Sequence, residues 1–236
     1  MSFFKIKNIS CIRGNKLLFK NLNFKGCGGE LIVIKGANGS GKSSLLKILC
    51  GLLKPTSGSI KFSLTGRDGD EIKSNEEFLI HIDYVGHENA LKNAFTVKEN
   101  LIFYHKLKKK ETFKHPLYPG ITEDMPYNRL EPINSIDIEE DLLISTAKKF
   151  NLQNLLDIKV ENLSSGEKRR VSLSKLYLTF VPKRIWLLDE PTNNLDKKNS
   201  DFFLKLLKEH AASADTLTII TSHDDIKIKN KNTITL

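Results

Sequence analysis

One segment constrains this chain more than any other, a glycine-rich loop at residues 36–43 that fits the spacing G-x-x-x-x-G-K-S. Residues 31–35 before it form a strand-sized apolar run, and residues 43–53 after it place apolar side chains at helical spacing. Glycines allow such a loop to fold tightly, so that its backbone N–H groups and the start of the helix converge on phosphate oxygens. The pattern therefore predicts an α/β fold in which the loop binds the phosphates of a nucleotide.

The residues of this loop are the first candidate ligands. We expect Lys42 to reach the β- and γ-phosphates of a bound nucleotide and the Ser43 hydroxyl to hold Mg²⁺. The positive end of the helix dipole adds to the attraction for phosphate. The full set of phosphate-loop candidates is Gly36, Ala37, Asn38, Gly39, Ser40, Gly41, Lys42, Ser43 and Ser44.

A second apolar run, residues 185–188, ends in two carboxylates, those of Asp189 and Glu190. Parallel strands deliver ligand-binding groups at their carboxyl ends. We therefore expect Asp189 to meet the magnesium of the phosphate loop and Glu190 to stand where a water attacks the γ-phosphate. An acidic pair at a strand end is often merely solvated, but next to a phosphate loop it is a candidate catalytic pair.

A short segment before a predicted helix allows two interpretations. Ser164, followed by Glu167 three residues later, is an ordinary capping box. The order of the motifs along the chain favours a functional interpretation, in which the helix start faces a phosphate. The segment consists of Leu163, Ser164, Ser165, Gly166 and Glu167.

Five motifs in this order resemble an ATP-binding cassette (ABC) ATPase: the phosphate loop, the segment 163–167, the strand ending at Asp189, residues 193–196, and His223 after a further strand. The resemblance implies an enzyme that hydrolyses MgATP as a head-to-tail pair of cassettes. It implies that the segment 163–167 of one copy faces the ATP held by the other. It also implies that Lys42, Glu190 and His223 form the catalytic set.

Two departures from the cassette pattern identify further candidates. Where such cassettes carry a glutamine after the strand at 81–85, this chain carries His87, which joins Ser43 and Asp189 as a candidate at the metal. Where they carry an aromatic residue that stacks on adenine, this chain has Arg13 between Ile12 and Gly14. We expect the planar Arg13 guanidinium to stack on the base instead.

These departures resemble one branch in particular, the ATP-binding subunits of cytochrome c maturation, or haem exporter, ABC complexes. The similar segments are 84–87, 91–92, 99–105, 169–174 and 176–179. The resemblance implies ATP hydrolysis coupled to a membrane partner, for haem export or for release of a haem chaperone. The implied partners are an integral membrane permease subunit, a second cassette and a haem-chaperone system. The implied location is the cytoplasmic face of the bacterial inner membrane, or the matrix face of a mitochondrion.

The charge balance keeps one alternative open, a soluble ABC ATPase acting on ribosomes or nucleic acid. Lys and Arg number 37 against 28 Asp and Glu, and the resulting net charge of +9 suits such partners. Residues 189–196 and 222–224 resemble that class as well. Those proteins usually carry two cassettes in one chain, whereas this sequence holds one, and we expect scattered lysines on solvated faces rather than a nucleic-acid site.

The predicted architecture is a single ABC ATPase domain over residues 1–236, with a mainly parallel core sheet and an antiparallel β subdomain near the N-terminus. A helical arm is expected at about 92–165. Within it we predict an irregular insertion at about 108–140, because four prolines interrupt the stretch and no apolar period is visible. No apolar run approaches the roughly 18–20 residues of a transmembrane helix.

Overall fold

The structure is a computed structural model that describes residues 2–63, 79, 81–113, 135–178, 184–223 and 231–236. Two units divide the chain, one made of Met1–Glu88 with Lys183–Leu236 and the other of Asn89–Pro182. The second unit includes the stretch expected to form a helical arm. A single ABC ATPase domain over the whole chain stays a prediction.

A three-stranded antiparallel sheet lies in the first unit, as expected for the N-terminal part of the chain. Its strands are β1 (Ser2–Arg13), β2 (Lys16–Cys27) and β4 (Ser57–Phe62), in the order β2-β1-β4. Apolar positions of β1 such as Phe4, Ile6 and Ile9 are buried, whereas Lys5 and Lys7 between them are exposed. This alternation places one face of the sheet on the core.

A five-stranded parallel sheet forms the rest of the first unit's core. Its strands are β3 (Glu30–Lys35), β5 (Ile82–Val85), β6 (Ile185–Leu188), β7 (Leu217–Thr221) and β8 (Lys231–Thr235), in the order β5-β6-β7-β3-β8. The central strands β6 and β7 are buried along their whole length, as expected for a parallel sheet covered on both faces. The carboxyl ends of β3, β6 and β7 meet at one edge, because Ile34 pairs with Thr221 and Leu188 with Ile220.

Five α-helices are described. They are α1 (Lys42–Leu49), α2 (Val97–Phe113), α3 (Ser135–Lys149), α4 (Ser165–Ser174) and α5 (Lys197–Ala211). A capping box starts α2, since the Thr96 N–H donates to Glu99 Oε2 at 2.7 Å and the Glu99 N–H donates to Thr96 Oγ1 at 3.1 Å. Among the described helices, none has both the length and the apolar character needed to cross a membrane.

The outer parts of the predicted irregular insertion at 108–140 are helical. α2 continues to Phe113 and α3 begins at Ser135, so the expectation of irregular structure was wrong for these flanks. The prolines that motivated it all fall within residues 114–134, which lie outside the described residues. Helix propensity in the lysine-rich stretch after Leu107 carries α2 further than its apolar pattern indicates.

Candidate ATP-binding and catalytic site

The phosphate loop connects β3 to α1 at the edge where the parallel strands end. Gly41 precedes the helix with φ of 105°, a left-handed conformation that L side chains rarely adopt. A Cβ at this position would lie 2.9 Å from Leu18 Cβ and 3.0 Å from Phe19 Cδ1. The glycine at position 41 therefore follows from its backbone conformation and from the close approach of β2 to the loop.

Lys42 is buried inside the loop, with 5% of its surface exposed. Its Nζ donates to the carbonyl of Gly36 at 2.8 Å and to that of Ala37 at 3.2 Å. The same Nζ lies 3.5 Å from His223 Nδ1. Two backbone carbonyls of the loop thus fix the position of the ammonium group.

An open cleft with a volume of about 360 Å³ lies over the loop. It is lined by Asn38, Gly39, Gly41, Lys42, Ser43 and Ser44 of the loop and α1, and by Arg13, Leu18, Lys47 and Glu190. Arg13 and Glu190 were both expected at this site from the sequence. Lys47 was missed, although it stands four residues after Ser43, which places it on the same face of α1. Leu18 was missed because nothing in its strand pattern distinguishes it.

The turn after β6 carries the two predicted carboxylates. Asp189 is 2% exposed, and its backbone N–H donates to the carbonyl of Val85 at 2.8 Å. Its Oδ1 accepts a hydrogen bond from the Thr221 hydroxyl at 2.7 Å. Glu190 follows with φ of 46°, and its N–H donates to Thr221 Oγ1 at 2.9 Å. Sequence reasoning did not identify Thr221.

Three polar side chains lie close to the Glu190 carboxylate. His223 Nε2 lies 2.5 Å from Oε1, and His87 Nδ1 lies 3.7 Å from Oε2. Asn193 Nδ2 donates to Oε2. Because His223 also approaches Lys42, the predicted catalytic residues Lys42, His223 and Glu190 form one continuous chain of contacts.

The three candidate metal ligands, Ser43, Asp189 and His87, differ in burial and in their contacts. Ser43 lines the cleft, and Asp189 lies buried where β6 ends. His87 contacts Glu190 and has 67% of its side chain exposed, so its predicted role at the metal stays a prediction. Within the described part of the chain, no group of three or more His, Cys, Asp or Glu side chains is placed to hold a metal ion. The hydroxyl and carboxylate oxygens of Ser43 and Asp189 suit Mg²⁺, which keeps several waters and phosphate oxygens as its other ligands.

The segment 163–167 forms the start of α4. The Ser164 N–H donates to Glu167 Oε2 at 2.8 Å and the Glu167 N–H donates to Ser164 Oγ at 3.3 Å, which confirms the capping box. The Ser164 hydroxyl also donates to Glu167 Oε2 at 2.8 Å, and this bond together with that of the Ser164 N–H lowers the pKa of the Glu167 carboxyl. Leu163 is buried, whereas Ser164 and Ser165 are exposed at the helix start, with Gly166 half-buried. Contact with the ATP of a second copy stays a prediction.

The sequence profile of the ABC transporter family matches residues 19–193, a stretch that includes the phosphate loop, α4 and the Asp189–Glu190 turn. This chain belongs to the ABC transporter family. A relative from Paramagnetospirillum magneticum, named cytochrome c biogenesis ATP-binding export protein CcmA, is 34% identical over 228 residues, which are 96% of this chain and 90% of the relative. A protein of the same name from Wolbachia pipientis is 35% identical over 92% of this chain and 87% of the relative.

Solved structures of ABC transporter proteins share the fold. An ABC transporter ATP-binding protein from Pyrococcus furiosus superposes with a TM-score of 0.69 at 20% identity, covering 99% of this chain and 96% of that one. A dimeric ATP-binding cassette bound to ADP and Pi superposes with a TM-score of 0.69 at 24% identity, covering 94% and 88%. The predicted α/β ABC ATPase fold, the ATP-binding function and the similarity to CcmA proteins are confirmed.

Proposed function

We propose that this ABC protein is the ATP-hydrolysing subunit of a membrane complex that serves c-type cytochrome biogenesis. The observation that carries the proposal is the chain of contacts from Lys42 through His223 to Glu190 over the phosphate loop. The name shared by the CcmA relatives, which align over nearly the whole chain, supports the biological role. The complex uses ATP hydrolysis for haem export or for release of a haem chaperone.

ATP binds in the cleft with its phosphates in the loop and its base towards Arg13. Lys42 and the N–H groups that start α1 hold the β- and γ-phosphates, while the Arg13 guanidinium stacks on adenine. Ser43 and Asp189 would hold Mg²⁺, which when bound would neutralise negative charge on the phosphates. The hard oxygen donors of these two residues fit that ion.

Glu190 is the residue that polarises the attacking water. Its side chain is 14% exposed, which limits competition from bulk solvent. His223 on one oxygen and Asn193 on the other fix the plane of the carboxylate. A base positioned in this way contributes about 10²–10⁴-fold in rate. His223 and Lys42 then stand on the γ-phosphate side of the water.

A second copy of the cassette completes each ATP site. The exposed start of α4, with Ser164, Ser165 and Gly166, presents N–H groups and a positive dipole end to the γ-phosphate held by the partner copy. Two cassettes and an integral membrane permease subunit make up the complex, on the cytoplasmic face of the bacterial inner membrane or its mitochondrial equivalent.

The permease contacts an apolar patch at the start of the second unit. Phe95 is 37% exposed and packs edge-to-face on Phe103, with Lys92 over both rings. Val97 and Leu101, which follow in α2, are fully buried and belong to the core. Exposed aromatic area of this kind is typical of a protein interface.

Membrane fractionation of cells carrying Phe95→Asp tests this assignment. The substitution should release the protein from the membrane fraction and reduce c-type cytochrome, because it replaces the aromatic contact area of the interface with a charged group. Ile144→Asp is the matched control, since Ile144 is also an exposed apolar residue of the second unit, 48% exposed on α3, and should leave docking intact. Circular dichroism of both variants verifies folding.

The opposite pattern contradicts the proposal. If folded Phe95→Asp protein stays with the membrane and cytochrome levels hold, the patch is not the docking site. If the wild-type chain sediments with ribosomes instead and its deletion leaves c-type cytochromes unchanged, a soluble ABC ATPase acting on ribosomes replaces the transporter assignment.

A further inference from the structure

Thr221 carries a buried hydroxyl at the end of β7, a strand that is buried along its whole length. It closes β7 after Ile219 and Ile220, and none of its surface is exposed. A buried hydroxyl is costly unless it is hydrogen-bonded. Leu188 is the last residue of β6 and pairs with Ile220, and the residues that follow these two, Asp189 and Thr221, are joined by a hydrogen bond.

The Thr221 hydroxyl is both a donor and an acceptor, and both of its hydrogen bonds are to the Asp189–Glu190 turn, the proposed catalytic turn. It donates to Asp189 Oδ1 at 2.7 Å and accepts from the Glu190 N–H at 2.9 Å. The direction is forced, since a backbone N–H only donates and an ionised carboxylate only accepts. The Thr221 side chain therefore connects the carboxylate of Asp189, the proposed magnesium ligand, with the backbone of Glu190, the residue proposed to polarise the water.

The backbone of Glu190 needs such support. Its φ of 46° lies in the left-handed region, which is unfavourable for a residue with a long side chain and persists where the surroundings hold it. This conformation directs the Glu190 carboxylate towards His223, whose Nε2 lies 2.5 Å away. A change in the backbone of Glu190 would move the carboxylate away from His223.

We infer that Thr221 is a positioning residue that fixes the turn between Asp189 and Glu190. The inference rests on the proposed roles of these two acids. Thr221 acts through them and is not among the residues that line the cleft. Its loss should therefore reduce the hydrolysis step and the gain in nucleotide affinity on adding Mg²⁺, while nucleotide binding without Mg²⁺ is unchanged.

Thr221→Val in the full chain tests the inference, because valine keeps the shape and removes both hydrogen bonds. The kcat of ATP hydrolysis should fall on the order of ten- to a hundredfold, as expected for the loss of hydrogen bonds at charged groups. Binding of a fluorescent ATP analogue without Mg²⁺ should stay within about twofold, but its Mg²⁺-dependent gain in affinity should shrink. Thr221→Ser keeps the hydroxyl and should restore both properties.

Thr218→Val is the matched control. Thr218 lies on the same strand with none of its surface exposed, and its hydroxyl contacts His210 Nδ1 at 2.8 Å, away from the catalytic turn. This variant should hydrolyse ATP like the wild type. If Thr221→Val fails to fold, Thr221→Cys replaces it, because a thiol of similar size is a weak donor and acceptor.

Three results would overturn the inference: wild-type kcat in folded Thr221→Val, an equal loss in Thr218→Val, or no recovery in Thr221→Ser. Glu190→Gln, assayed in parallel, separates this failure from that of the proposed function. If Glu190→Gln is inactive while Thr221→Val is fully active, only the positioning role fails. If Glu190→Gln hydrolyses ATP at the wild-type rate, the proposed catalytic assignment itself fails.

Discussion

Among single residues, Arg13 departs from the family pattern, because it occupies the position where such cassettes carry an aromatic residue that stacks on adenine. It lines the same cleft as the phosphate loop and Glu190, although it comes from the end of β1. Its guanidinium is planar and always charged, so it can stack on a base and attract phosphate at once. Mutation can separate the contribution of stacking on the base from that of the attraction between the charge and the phosphates.

Arg13→Ala should weaken ATP binding several-fold and leave the hydrolysis rate at saturating ATP nearly unchanged. Stacking of a base on an aromatic side chain is worth roughly 1–3 kcal/mol, and an arginine gives part of that. Isothermal titration and steady-state kinetics measure the two effects separately. Arg13→Lys keeps the charge but lacks the planar guanidinium, so it should also bind ATP weakly. Unaltered ATP affinity in both variants would remove Arg13 from the site.

The places of the candidate catalytic residues were predictable where a motif carries its own chemistry. Lys42 follows from the loop spacing, and Glu190 from its place after a buried strand. Thr221 was not predictable, because a threonine within a strand is an ordinary β-former. Its role appears only when β6 and β7 are paired, and that pairing joins residues 32 positions apart.

At the scale of elements, the capping patterns were the most informative local signals. Thr96 and Glu99 cap the start of α2, and Ser164 and Glu167 cap the start of α4 as predicted. β8 was not predicted, because its sequence is mostly polar and it pairs, among the described strands, with β3 alone at a sheet edge. Such a strand depends on its neighbour rather than on its own apolar pattern.

The residue after α4 links this helix to the loop that begins the second unit. Lys175 Nζ donates to the carbonyls of Asn89 at 2.9 Å and Ala90 at 3.0 Å, and lies 3.7 Å from the centre of the Tyr104 ring. Burial, with the nearby charges of Lys108 and Arg169, lowers the pKa of Lys175 to about 7. The folded chain therefore binds this proton less tightly than the unfolded chain does.

This lowered pKa predicts a pH dependence of stability. An unfolded lysine holds its proton up to about pH 10.4, but folded Lys175 releases it near 7, so the unfolded state binds more protons between these values. The contribution of Lys175 to the free energy of unfolding should therefore rise between pH 7 and 8.5, on the order of 1 kcal/mol. Urea unfolding at both pH values measures it, with Lys175→Met showing a smaller rise. An equal rise in both proteins would contradict the assignment.

For the whole molecule, the site depends on segments that are far apart in sequence. The contact of Lys42 with His223 spans 181 positions, and Glu190 joins them from a third segment. The parallel sheet makes this possible, because β3, β6 and β7 end at the same edge and deliver the phosphate loop, the acidic turn and the histidine together. The order of the motifs along the sequence predicted that these residues come together. The distances between them could be obtained only from the folded structure.

ATP turnover by Glu190→Gln is the most direct test of the account, with nucleotide binding measured on the same preparation. The amide keeps the shape of the side chain but cannot polarise the water as a base. We predict ATP binding within about twofold of the wild type and turnover reduced at least about 10²-fold. Glu209→Gln, at an exposed carboxylate on α5, should hydrolyse ATP normally. Wild-type turnover by the Glu190→Gln variant would contradict the proposed catalytic site.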